Sequence, residues 1–144
     1  MGAEANTDAE KIDDLLEAAR YDDIDDLRSL ASSGVPLDSR DSQGRSALHM
    51  AAANGHLAII EYLIGERVDI NALNHENNTP LHWACLNGHV EVVKRLIIAG
   101  ADLSLLNRYE RTPMDEAISG EKMDIVDAIN ATAAQMELEN AGIA

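Results

Sequence analysis

Apolar residues recur along this chain at helical spacing and then, over a longer stretch, at a fixed interval. Ile12, Leu15, Leu16 and Ala19 form one stripe of three- and four-residue steps, and Ile24, Leu27, Leu30 and Ala31 form the next, the pattern of two amphipathic helices. Stepping forward 33 residues from Leu15, Ala18, Ile24, Leu27, Leu30, Val35 and Leu37 reaches Leu48, Ala51, Leu57, Ile60, Leu63, Val68 and Ile70, every one apolar. The same step carries Thr79, Pro80, Leu81, Ala84, Val92, Val93 and Leu96 onto Thr112, Pro113, Met114, Ala117, Ile125, Val126 and Ile129. Residues 42–74 laid on 75–107 without a gap share eleven identities. A fixed interval of this length means stacked copies of one supersecondary unit. The pattern therefore predicts an all-α solenoid of four helix-turn-helix units, at about 10–41, 42–74, 75–107 and 108–136. A disordered arm over 1–9 and a frayed tail over 137–144 complete the expected layout. Met123, Val126, Ile129, Ala133 and Met136 continue one stripe, so the last helix is expected to run long over the open end of the stack.

Local punctuation agrees with that reading. Ser46 and Thr79 stand where a hydroxyl caps the first helix of a unit, and Pro80 suits the first helical position because no donor is lost there. Gly55 and Gly88 fall between the paired helices, where a left-handed backbone is easiest for glycine. Arg67 stands where the next unit has Gly100, so either Arg67 accepts that conformation or its helix ends early.

The run Thr79-Pro80-Leu81-His82-Trp83-Ala84, with Asn87-Gly88-His89 behind it, and its upstream counterpart Ser46 to Ala51 with Asn54-Gly55-His56 resemble the ankyrin repeat. The resemblance implies that the loops over 34–46, 68–78 and 101–111 project as hairpin-like fingers. It also implies that the first and last units are degenerate caps, whose polar replacements suit faces with no neighbour. Asp22-Asp23 stand for Gly-His in the first, and Asp115-Glu116 for His-Met or His-Trp in the last.

Phe is absent and aromatics make up 3% of the chain, so the core must be aliphatic. The net charge of -15 is uneven: residues 1–41 carry -8, residues 42–107 carry -2 and residues 108–144 carry -5. Such a surface repels nucleic-acid phosphate and anionic headgroups, and it either favours basic protein segments or merely keeps a small monomer in solution. Asp22, Asp23, Asp25 and Asp26 serve either as helix-start carboxylates or as a docking patch for a basic partner. The lone cysteine, Cys85, excludes an internal disulfide and fits a reducing compartment. No apolar run approaches a membrane span and the first residues lack signal character, so a cytoplasmic and nuclear location and a monomeric free state are expected.

Five histidines invite a metal or catalytic reading, but His49 and His82 are related by the period, as are His56 and His89. The resemblance implies that these rings join neighbouring units through hydrogen bonds to backbone and to the capping hydroxyls of Ser46 and Thr79. His75-Glu76 lacks the second histidine of a zinc-protease motif, and no phosphate-binding glycine loop or nucleophile elbow is present. No enzyme, cofactor or metal is expected.

What remains is recognition. The family fold implies a concave face built from Glu17, Arg20, Tyr21, Met50, Ala53, Asn54, Trp83, Leu86, Asn87, Glu116 and Ser119, with His75, Glu76, Arg108 and Tyr109 at the finger tips. Trp83 either packs in the core or forms a hot spot beside Met50 and Leu86, and Tyr109 either contacts a partner or packs on its own loop. Glu17 and Glu116 at the two ends of an apolar strip suit a basic segment with apolar anchors. Residues 47–56 and 81–94 are similar to the central repeats of a small fungal ankyrin-repeat chaperone of a small-subunit ribosomal protein. That similarity implies an acidic escort for a newly made ribosomal protein. The alternative is a regulatory adaptor or inhibitor that binds a folded partner, such as a kinase or a proteasome component.

Overall fold

A computed structural model describes residues 7–142. Eight helices follow in order: α1 (Asp8–Arg20), α2 (Ile24–Ser32), α3 (Ala47–Asn54), α4 (Leu57–Gly65), α5 (Pro80–Asn87), α6 (Val90–Ile98), α7 (Pro113–Ser119) and α8 (Met123–Asn140). They pair as the four stacked units that the 33-residue interval predicts, and no strand occurs among the described residues. An inner row runs α1, α3, α5, α7, each helix packed on the next, while α4, α6 and α8 stack behind it.

The inner row closes through small side chains. Ala18, Ala51, Ala84 and Ala117 occupy one register and are all buried, as are Ala19, Ala52 and Cys85 in the next. The fourth member of that second register, Ile118, is 52% exposed, with no described helix beyond α7 in the inner row to cover it. Between the rows, Leu15, Leu48 and Leu81 pack with Leu27, Ile60 and Val93 in an aliphatic core. Burial pushes the Cys85 thiol up to about 12, with the Glu116 carboxylate adding to the shift.

Each inner helix opens on the same reciprocal cap. Thr7, Ser46, Thr79 and Thr112 accept from the backbone N–H three residues on, and the side chains of Glu10, His49, His82 and Asp115 reach back to the cap. The Thr7–Glu10 pair starts α1 six residues earlier than the register of α3 requires, so residues 7–9, expected in a disordered arm, cap and begin the first helix; residues 1–6 of that arm lie outside the described residues. At the other end α8 continues to Asn140, past the expected limit at Met136, while Met123 points outward at 56% exposure and leaves the buried stripe.

The backbone repeats its left-handed residues as faithfully as its apolar ones. Ten of the eleven positive-φ residues among those described fall on three registers: Asp22, Gly55, Gly88 and Glu121 between paired helices; Gly34, Arg67 and Gly100 after the second helix; Gly44, Asn77 and Glu110 at the finger tips. Arg67 resolves one open alternative. Helix α4 ends at the register where α6 ends, and Arg67 takes φ 64°. Below each tip, Asp41, Asn74 and Asn107 accept from two backbone N–H groups, which folds the finger into a tight hairpin.

Imidazoles stitch the units together. His49 Nε2 bonds the Asn78 carbonyl at 2.8 Å and His82 Nε2 bonds that of Arg111 at 2.9 Å, each in the next unit. In the opposite direction His56 reaches the Arg20 carbonyl at 2.7 Å and His89 that of Ala53 at 2.9 Å. Burial holds His49 down to about 4, against an ordinary value of 6.5, and lowers His82 as well.

Two predictions follow from these backbone and ring positions. Arg67→Gly relieves the left-handed penalty and raises stability by about 1 kcal/mol, read as a higher urea midpoint. The unfolded chain protonates His49 below 6.5 whereas the folded chain resists until about 4, so this stability is present above 6.5 and is lost as pH falls through that window. Its contribution reaches about 1.4 kcal/mol per pH unit. A His49→Gln chain therefore shows a shallower drop in urea midpoint between about pH 7 and about pH 5 than the parent.

Candidate functional site

The inner row turns two registers toward the fingers. One carries Glu17, Met50, Trp83 and Glu116; the other, three residues on, carries Arg20, Ala53, Leu86 and Ser119. Glu17, Leu86 and Ser119 are exposed, and Arg20, Ala53 and Trp83 are partly so. Met50 and Glu116 depart from the expected strip, being 4% and 7% exposed.

The reasons are local. The Arg20 guanidinium lies over Met50, its Nη2 at 3.4 Å from Sδ, and screens the thioether from solvent. Glu116 is drawn inward by two donors of its own finger: Asn107 Nδ2 donates to it at 2.7 Å and Arg111 Nη1 at 3.4 Å. Asn107 also donates to Asn78 Oδ1 at 2.9 Å, so the carboxylate anchors a network joining the last two fingers. Of the two carboxylates expected at the ends of the strip, Glu17 alone faces solvent.

Trp83 is partly packed and partly open. One edge packs against His49, with ring centroids 5.4 Å apart and planes at 72°. The remainder lines a groove of about 410 Å³ shared with Glu76, Asn78, His82, Leu86, Tyr109, Arg111 and Glu116. Leu86 and Tyr109 are 45% and 64% exposed at its rim, so Tyr109 does not bury itself on its own loop. A second groove of about 380 Å³ lies at the first unit, between Asp13, Leu16, Glu17 and Arg20 of α1 and Asp41, Ser42, Arg45 and Met50 beyond.

Asn54 and Asn87 are exposed but partly occupied, each side-chain amide donating back to the carbonyl of Met50 or Trp83 one turn earlier. Tyr21, 66% exposed, sits at the end of α1 beside Asp14, Glu17, Asp23 and Asp26. At the finger tips, the His75 and Arg108 backbone N–H groups donate to the Gln43 and Glu76 carbonyls, which locks each tip to its predecessor. A Cβ on Gly44 would meet the His75 ring at 2.7 Å, so that register admits no side chain where the ring lies over it.

Charge on this face is partly self-cancelled. Arg45 Nε binds Asp41 at 2.8 Å and Arg111 binds Glu116, in both cases a nearly buried carboxylate. Burial opposes the Asp41 charge, yet donors from Arg45 and Gln43 hold its carboxyl below the usual range. Asp13, Glu17 and Glu76 are exposed and take no ion pair among the described residues. Asp13 and Asp41 were not among the site residues read from the sequence. The first stands one helical turn before Glu17, and the second shares a register with Asn74 and Asn107, signals the period offers.

No group of three or more His, Cys, Asp or Glu side chains suited to hold a metal ion occurs among the described residues, and no helix is long and apolar enough to cross a membrane. A family model for ankyrin repeats in three copies matches residues 15–107. The chain belongs to the ankyrin-repeat family. It is also similar to acyl-CoA-binding domain-containing protein 2 of Arabidopsis thaliana, 39% identical over 59 residues, 41% of this chain and 17% of that protein. Similar stretches occur in the liver isoform of mitochondrial glutaminase of Rattus norvegicus, 44% identical over 35% of this chain and 8% of that protein, and in L-asparaginase of Dirofilaria immitis, 40% identical over 40% and 10%. Each stretch is shorter than two repeats, and the chain matches under a fifth of each relative's length. Ankyrin repeats are protein-interaction modules, typically without enzymatic activity, so the chain is built to bind another protein.

Glu116 and Glu17 share a register but differ in surroundings, and substitution separates them. Glu116→Ala strips Asn107 and Arg111 of their acceptor and lowers stability by about 1–3 kcal/mol in urea unfolding. Glu17→Ala, on the exposed face, leaves the urea midpoint within about 0.5 kcal/mol of the parent.

Proposed function

We propose that this protein is a non-enzymatic escort whose concave face receives a basic segment of another protein. The observation that carries this reading is the uneven cancellation of charge: Arg45 is neutralised by Asp41 of its own finger and Arg111 by Glu116 of α7, whereas Asp13, Glu17 and Glu76 face solvent without an ion pair among the described residues. Unpaired carboxylates on a rigid scaffold attract a cationic chain and keep its charges from binding elsewhere. The net charge of -8 over residues 1–41 extends that field across the first unit. The likeness of residues 47–56 and 81–94 to a fungal ankyrin chaperone makes a newly made, basic small-subunit ribosomal protein the client class of choice. Such a client is insoluble when unpaired and needs a polyanionic cover until it is assembled.

A regulatory adaptor is the second reading, favoured by the exposed and chemically varied finger tips His75, Glu76, Arg108 and Tyr109. The two readings part on salt. With a purified basic small-subunit ribosomal protein, the escort reading expects affinity to fall about tenfold or more as salt rises from about 0.05 to about 0.3 M. Replacing Asp13, Glu17, Asp23 and Asp26 by their amides weakens capture more than Tyr109→Ala, and client turbidity is suppressed at equimolar protein. Equal affinity at both salt concentrations together with loss of binding on Tyr109→Ala sinks the escort reading in favour of the adaptor.

A further inference from the structure

The concave face offers two chemistries at a fixed separation. The groove at the third and fourth units is walled by Trp83, with Leu86 and Tyr109 exposed at its rim, and its one buried carboxylate is already neutralised by Arg111. A cation entering there gains only Glu76, which stands near the exposed Arg108 of the next finger. An apolar side chain, by contrast, covers parts of three side chains now wet. The first unit has the more acidic character: Asp13 and Glu17 line its groove, where Arg45 is cancelled by Asp41 and Arg20 lies over Met50, and Glu17, Asp23 and Asp26 surround Tyr21 behind it.

We infer that the Trp83–Leu86–Tyr109 groove is the seat of an apolar anchor residue in a basic protein segment, whose cations lie on Asp13 and Glu17 of the first unit. The inference deepens the escort reading and rests on it. The geometry also sets the partner's spacing. Glu17 is on α1 and Trp83 on α5, with α3 between them, and the groove opens beyond α5 toward α7. Packed helices lie 8–10 Å apart, which places the two sites about 20–25 Å from each other. An extended chain at about 3.3 Å per residue spans that distance in about six to eight residues. The recognised segment is therefore an apolar residue separated by about seven residues from a cluster of Lys or Arg. At physiological salt the screening length is about 8 Å, so cations placed next to the anchor do not feel the first-unit acids.

Three fluorescein-labelled synthetic peptides test this with the full chain at about 0.15 M salt. Each carries four arginines; two carry a Leu-Phe anchor through a Gly-Ser spacer of about one or about seven residues, and the third has the long spacer with Ser-Ser in place of the anchor. The long-spacer anchored peptide is expected to bind about tenfold tighter than the other two, because both sites are then filled by one molecule. It also shifts the emission of Trp83, the single tryptophan of the chain. Leu86→Ser and Tyr109→Ser, both at exposed positions that leave the circular dichroism unchanged, erase the advantage. If the Ser-Ser peptide binds equally well and the Trp83 spectrum stays still, the groove takes no anchor, although the acidic unit still captures basic chains and the escort reading survives. Equal binding of the short- and long-spacer anchored peptides overturns the spacing. If no arginine peptide binds even at about 0.02 M salt, the escort reading falls together with the inference.

Discussion

Successive units of this stack are tied together through backbone carbonyls at helix ends and finger bases, four of which are paired with a histidine of the neighbouring unit. His56 and His89 take the carbonyls of Arg20 and Ala53 from the unit before, and His49 and His82 take those of Asn78 and Arg111 from the unit after. A buried carbonyl left without a donor costs more than a hydrogen bond returns, so each of these rings strengthens the junction it spans, His49 most of all because its bond is fully buried. The requirement also dictates chemistry. A ring that must donate from Nε2 while Nδ1 serves the capping Ser46 or Thr79 has no atom left for catalysis or for metal. Alanines between the inner helices let the rings reach, since a larger side chain at Ala51 or Ala84 would hold the helices apart.

The period made most of this legible. It placed the buried residues, the caps and the left-handed positions, because all three answer to constraints that repeat with the unit. What it could not place were departures caused by residues outside the repeat. The Thr7–Glu10 pair lengthens α1 on its own account, and nothing in the period announces it. Glu116 shares a register with Glu17, and only the convergence of Asn107 and Arg111 in space explains why one is buried and the other is not. Met50 was hidden for a similar reason, since its cover comes from Arg20 on a different unit. Trp83 falls between packing and exposure, one edge on His49 and the rest on the groove, because its register faces the fingers while its neighbour across the stack is a buried ring.

These departures give the concave face its polarity. The consensus positions build a symmetric scaffold, and binding character enters where units differ at equivalent registers: Glu17, Met50, Trp83 and Glu116 at one, Gln43, Glu76 and Tyr109 at another. One end leaves its carboxylates open to solvent, and the other uses its carboxylate to hold its own fingers. In the proposed escort role, a face assembled in this way reads a partner lengthwise, by what comes first along its chain and what comes later.

Cys85 sits in the middle of this arrangement, fully buried between the inner helices and with its thiol held at about 12. Only the thiolate reacts with disulfides, alkylating agents or peroxides, and the folded chain holds almost none at neutral pH. The sulfur therefore keeps time for the centre of the stack: it becomes available when α5 parts from its neighbours and stays silent while the ends fray. This thiol thus provides a built-in clock for the opening of the central junction.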